Sequence, residues 1–147
     1  MSGIQHYSVN MSYALFLDDI RLPHWIYEKT YEWFWVVVKN KNEFVDTINK
    51  HGIPKVISLD NDLGLTPTGE IHEDGYACLN WLIDNDIYVE NIIIHSDNVV
   101  ANEQMYGKAC NWQKHLISEG LLTYGKVLKR PALKNLRKEY LDNLQNF

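Results

Sequence analysis

Short apolar runs punctuate the chain at Ala14 to Leu17, Phe34 to Val38, Val56 to Leu59, Ile92 to Ile94, and Lys126 to Leu128 with its flanks. They lack the apolar/polar alternation of a half-exposed strand. In the stretch VISLDNDLG, from Val56 to Gly64, the oily part is nearly unbroken until Asp60. Runs of this length and β-branching predict strands buried on both faces. Between them apolar residues recur at helical spacing. Phe44, Val45 and Ile48 predict a short helix ending near Gly52. Ala77, Leu79, Trp81, Leu82 and Ile83 predict a second, and Met105, Ala109, Trp112 and Leu116 a third with Gly120 just past its end. Pro131 suits the first turn of a last helix striped by Leu133, Leu136, Tyr140 and Leu144. Strands alternating with helices predict an α/β, doubly wound domain around a parallel sheet covered on both faces.

Size and composition narrow the classes. At 147 residues the chain has the length of one ordinary domain, and no repeat, low-complexity tract or linker divides it. Residues 1–12 are expected to form an N-terminal extension, with Met11 as an alternative start, and residues 13–147 the domain. The 14 basic and 19 acidic residues include no basic block, which disfavours a long nucleic acid as partner. Cys78 and Cys110 have neither disulfide density nor zinc-site spacing, and each falls in a helix-like apolar stretch as a buried free thiol. No run is long enough to span a bilayer, and the amino terminus carries no secretory pattern, so a soluble cytoplasmic protein is expected.

The residues that follow the strands carry the chemistry. The first run ends in Asp18 and Asp19, the third in Asp60 and Asp62, the fourth in His95, Ser96 and Asn98, and the fifth in Lys129 and Arg130. In a parallel sheet these groups gather at one carboxyl edge, where open α/β sheets bind ligands. Three or four gathered carboxylates repel one another unless one takes a proton or a hard cation sits among them, and Mg2+ or Mn2+ suits oxygen donors. Lys129 or Arg130 with Ser96 and Asn98 would complete a phosphoryl-sized cradle.

Asp18 and Asp19 after strand one, Asp60 after strand three, Ser96 after strand four and a basic residue before Pro131 resemble the receiver pattern of two-component signalling. More specifically, LFLDDIRLP, ISLDNDLG, DGYACLNWLI and IIIHSDN, followed by Met105, resemble the cyclic-phosphate processing receiver domains over roughly residues 14 to 110. The resemblance implies a receiver-like, flavodoxin-like domain with a five-stranded parallel sheet in order 2-1-3-4-5. The stretch IRLPHWIYEKTYEW departs from it, and a loop is expected in place of the first helix. Arg130 stands where an ordinary receiver has lysine, with Lys129 one step back. Because neighbouring residues of a strand face opposite ways, only one of the two is expected to face the site.

The function implied is that of a metal-dependent phosphoesterase that opens a cyclic phosphate, on a cyclic nucleotide or a 2′,3′-cyclic-phosphate RNA end. Asp18, Asp19, Asp60 and Asp62 would hold Mg2+ or Mn2+. Asp60 is the central catalytic residue, and His95 is expected to move a proton. Ser96, Asn98 and Arg130 or Lys129 would bind and neutralise the phosphoryl group. Arg21 would reach a ligand phosphate or pair with the acids beside it. Two other classes remain open: a phospho-accepting switch on Asp60, and a non-catalytic binder or sponge for a phosphorylated nucleotide. Trp25, Tyr27, Tyr31, Trp33 and Trp35 are expected to cover the sheet rather than stack on a base.

Overall fold

The computed structural model describes residues 7–23, 34–64, 67–69, 73–96 and 98–129. The expected last helix, Arg130, residues 24–33 of the stretch 20–33 expected to form a loop, and the aromatics Trp25, Tyr27, Tyr31 and Trp33 lie outside these residues. Five strands are present among the described residues: β1 (Val9–Leu17), β2 (Phe34–Val38), β3 (Ile53–Leu59), β4 (Asn91–Ile94) and β5 (Lys126–Lys129). Three helices among the described residues alternate with them: α1 (Lys41–His51), α2 (Gly75–Asp84) and α3 (Val99–Ser118). All pairings are parallel, in order β2-β1-β3-β4-β5. This is the receiver-like order. No helix among the described residues is long and apolar enough to cross a membrane.

Each expected strand and each expected described helix appears in its place. β1 is longer than its apolar run, because Val9 and Asn10 pair with Ile53 and Pro54 before the register shifts at Ala14. The sheet thus recruits residues from within the expected N-terminal extension. The helices start on side-chain caps, with Asn40, Asp74 and Asn98 each accepting an amide hydrogen from the first turn. Gly52 ends α1 at a φ of 90°, a conformation that costs glycine little.

The three crossovers from β2 to β3, β3 to β4 and β4 to β5 all step the same way across the sheet, so a common hand puts α1, α2 and α3 on one face. Leu15, Leu17, Ile57, Leu59, Ile92 and Ile94 face them and pack with Phe44, Ile48, Leu79, Leu82, Met105 and Ala109 into the main core. The alternate residues face the other way, where Phe16 packs with Trp35, Val37 and Ile93. Cys78 is a buried free thiol as expected, whereas the free thiol of Cys110 is only half-buried.

α2 begins hard against the tip of β3. The Gly75 amide donates to the Asn61 carbonyl at 2.8 Å, and the Tyr76 amide to Asn61 Oδ1 at 3.2 Å. A Cβ on Gly75 would lie 1.7 Å from the Asp60 carbonyl oxygen, which is backbone and cannot swing aside. Glycine is required here by close approach rather than by dihedral freedom. Gly75→Ala is expected to lower stability by about 1–3 kcal/mol, the ordinary cost of overpacking, read as a fall in melting temperature against the wild type.

Candidate functional site

The parallel ladder runs one step beyond the strands and aims the side chains at its edge. The Asp18 amide donates to Val38 O at 3.0 Å, the Asp60 amide to Leu17 O at 3.0 Å, and the His95 amide to Leu59 O at 2.9 Å. β1 and β3 are neighbours, yet the next strand lies to one side of β1 and to the other side of β3. Asp18 and Asp60 therefore flank the switch point where parallel sheets open a crevice.

Asp18, Asp19 and Asp60 each bring one carboxylate oxygen to within 4.8 Å of the others. Asp18 and Asp60 are buried and Asp19 is half-buried. Glycine again makes room, since a Cβ on Gly64 would lie 2.9 Å from Asp19 Oδ2. Three hard oxygen donors at this spacing are a donor set suited to Mg2+ or Mn2+. Asp62, the fourth expected ligand, lies outside this group. It is exposed, and its Oδ1 accepts from Asn61 Nδ2 at 3.3 Å.

A cation already belongs to the cluster. Arg21 Nη1 lies 3.2 Å from Asp18 Oδ2 and 3.6 Å from Asp60 Oδ1, with its side chain only 11% exposed. Of the two roles open to Arg21, pairing with the acids is the one this geometry displays. Asp18 Oδ1 accepts the amides of Ile20 and Arg21, both at 2.9 Å. Its Oδ2 accepts from His95 Nε2 at 3.1 Å as well as from Arg21.

These surroundings split the two buried acids. Burial works to raise the Asp18 carboxyl, but the hydrogen bond from His95 and the two amides outweigh it and hold it below the usual range. Asp60 is pushed up to about 8, first by burial and then by the charge of Asp18, with Arg21 opposing. Asp19 is raised by burial, with the charges of Asp18 and Asp62 adding to it.

His95 is fully buried, and both ring nitrogens are engaged. Nε2 faces Asp18, Nδ1 lies 2.7 Å from Ser58 Oγ, and the ring stacks on Phe16 at 4.6 Å between centroids. A carboxylate only accepts, so Nε2 donates, and in the neutral ring Nδ1 accepts from Ser58. The expected proton transfer to a substrate does not fit this seat. His95 instead orients Asp18. Ser58 and Phe16 were not among the expected site residues, although Ser58 left a signal as the one polar residue inside the oily run of β3.

The remaining expected residues divide. Ser96 is buried at the same edge, its Oγ accepting the Asn98 amide at 3.1 Å, which leaves the hydroxyl hydrogen to donate. Asn98 uses its side-chain oxygen to cap α3, accepting from Ala101 N at 3.0 Å. Lys129 turns to the helix face, with Nζ 2.6 Å from Glu103 Oε1 and 4.8 Å from the centre of the Tyr106 ring. That places Lys129 in a surface ion pair rather than with the acids.

The family model for the cyclic-phosphate processing receiver domain matches residues 13–111. No curated protein matches the chain significantly. Among solved structures, the phosphorylated cyanobacterial phytochrome response regulator RcpA is similar at 12% identity and a TM-score of 0.49, over 92% of this chain and 93% of that one. A fusion carrying the yeast Spc42 trimeric coiled coil is similar at 12% identity and a TM-score of 0.48, over 94% of this chain and 87% of that one. An adenylate cyclase from Rhodopirellula baltica is similar at 14% identity and a TM-score of 0.46, over 93% of this chain and 96% of that one.

The electrostatics of Asp60 have a measurable consequence. Its folded pKa, about 8, lies above the ordinary 3.8, so the unfolded chain releases this proton first and folding stability falls as pH rises between the two values. Asp60→Asn is therefore expected to raise the melting temperature of chelator-treated protein by several degrees near pH 8. The gain should vanish below about pH 4, where the carboxyl is protonated in both states.

Proposed function

The chain belongs to the cyclic-phosphate processing receiver domains, and on that premise we propose that it is a metal-dependent phosphoesterase acting on a small cyclic phosphate. The observation that carries this reading is the convergence of the Asp18, Asp19 and Asp60 oxygens, with a buried arginine, at the switch point of the sheet. The substrate is a cyclic nucleotide or a 2′,3′-cyclic-phosphate RNA end.

Asp18, Asp19 and Asp60 would hold Mg2+ or Mn2+. When bound, such an ion supplies Lewis acidity that polarises a phosphoryl oxygen and activates water. In the hydrolysis, the oxygen of water forms the new bond to phosphorus, one ring P–O bond breaks, and the proton that the water gives up ends on the departing ribose oxygen. Asp18 keeps one orientation throughout, because His95 and two amides hold it. A fixed carboxylate does not have to reorganise as charge moves, which is the electrostatic advantage of a preorganised site. The Ser96 hydroxyl is suited to donate to a phosphoryl oxygen. With Lys129 tied to Glu103, Arg21 is the described cation best placed to balance charge on the phosphate.

The test is incubation with cyclic nucleotides and with 2′,3′-cyclic-phosphate RNA ends, with Mg2+, with Mn2+ and with chelator, read by mass spectrometry. One class of cyclic phosphate should convert to its monoester, and both chelator and Asp60→Asn should abolish the conversion. An active Asp60→Asn protein would sink the mechanism. Intact ligand that still raises the melting temperature would point to a binding protein, and a phosphorylated Asp60 after acetyl phosphate treatment to a receiver switch.

A further inference from the structure

The donors around Asp18 leave it no room for a further cation. A carboxylate offers about four lone-pair sites, and Asp18 has four donors within 3.2 Å: the Ile20 amide, the Arg21 amide, His95 Nε2 and Arg21 Nη1. Any ion that binds Asp18 directly must displace one of them.

The four differ in how freely they can leave. The two amides belong to the turn that follows β1 and share Asp18 Oδ1. His95 is fully buried, held on its far side by Ser58 and stacked on Phe16. The Arg21 guanidinium sits at the end of a long side chain that is 11% exposed, whereas the side chains of His95 and Asp18 have no exposure. It is also the group shared with Asp60, whose Oδ1 lies 3.6 Å from Nη1. One departure would therefore free oxygens on two of the three carboxylates at once.

Charge favours that exchange. Three carboxylates and one guanidinium leave the cluster with excess negative charge, and a divalent ion brings more positive charge to the same oxygens than arginine does. We propose that Arg21 is the resident cation of the site in the metal-free protein, that a divalent ion displaces its guanidinium from Asp18 and Asp60, and that the released guanidinium then receives the substrate phosphate. The backbone of Arg21 stays anchored through its amide on Asp18 Oδ1, so the side chain swings about a fixed point and remains beside the site. Guanidinium matches phosphate oxygens through paired donors, a geometry lysine lacks. Metal binding and phosphate capture become one coupled event, and phosphate binds poorly to the metal-free protein. This inference rests on the metal-dependent reading above.

Two measurements test it. In calorimetric titration with Mn2+ alone, Arg21→Gln should bind the ion roughly tenfold more tightly than the wild type, because no charge-assisted bond has to break first. A thermal melt establishes that the variant is folded. Equal or weaker affinity in a folded Arg21→Gln protein, with normal binding by the wild type, would overturn the exchange and leave the metal reading intact. Absence of Mn2+ binding in both proteins would overturn the two together. The second measurement needs no variant: phenylglyoxal labelling of Arg21 in the wild type, followed by peptide mass, should speed up when Mn2+ is added. An unchanged or slower rate at Arg21 would count against the exchange.

Discussion

Two carboxylates at the tips of neighbouring parallel strands repel each other, and the surroundings of the site answer that repulsion. The ladder leaves Asp18 and Asp60 no freedom to part, because their amides are bonded to Val38 and Leu17 as continuations of the sheet. Arg21 lies between them, His95 and two amides stabilise the charge on Asp18, and Asp60 is left as the group that holds a proton most readily. Buried like charges are tolerated only when neighbours supply this kind of compensation.

The two faces of the sheet divide the work. Helices α1, α2 and α3 pack on one face against the large apolar cluster, which carries most of the burial. The other face carries Phe16, Ser58 and His95, a small set that passes orientation from the sheet to Asp18. Close approach does the rest. Gly75 lets α2 meet the backbone of Asp60, and Gly64 clears a place for the carboxylate of Asp19. Both glycines fix where an acid can stand.

Much of the fold was legible because buried strands and amphipathic helices write their periods directly into the chain. The runs at Phe34 to Val38 and Ile92 to Ile94 match strands almost residue for residue. The acidic pairs were legible too, since an oily strand that stops at a carboxylate delivers it to a sheet edge. The fine assignments were not. His95 and Lys129 both follow strands and both carry suitable chemistry, but one lies buried under Asp18 and the other reaches Glu103 on α3. Asn98 was expected as a donor to the phosphoryl group, and the first turn of α3 takes its side-chain oxygen as a cap.

What the sequence by itself determined is the order of elements, the parallel sheet and the set of acids at its carboxyl edge, because each follows from local periodicity and from connections that run one way. Only the tertiary structure decided which acids share a site, which of them is pinned and which cation sits among them. Asp60 and Asp62 are separated by one residue, yet Asp60 is buried in the cluster and Asp62 is exposed outside it. Arg21 and His95 are far apart in the chain, yet both bond the same oxygen of Asp18. Contacts of that kind depend on distances between strands and on which face a side chain takes, and these are set by packing across the whole sheet.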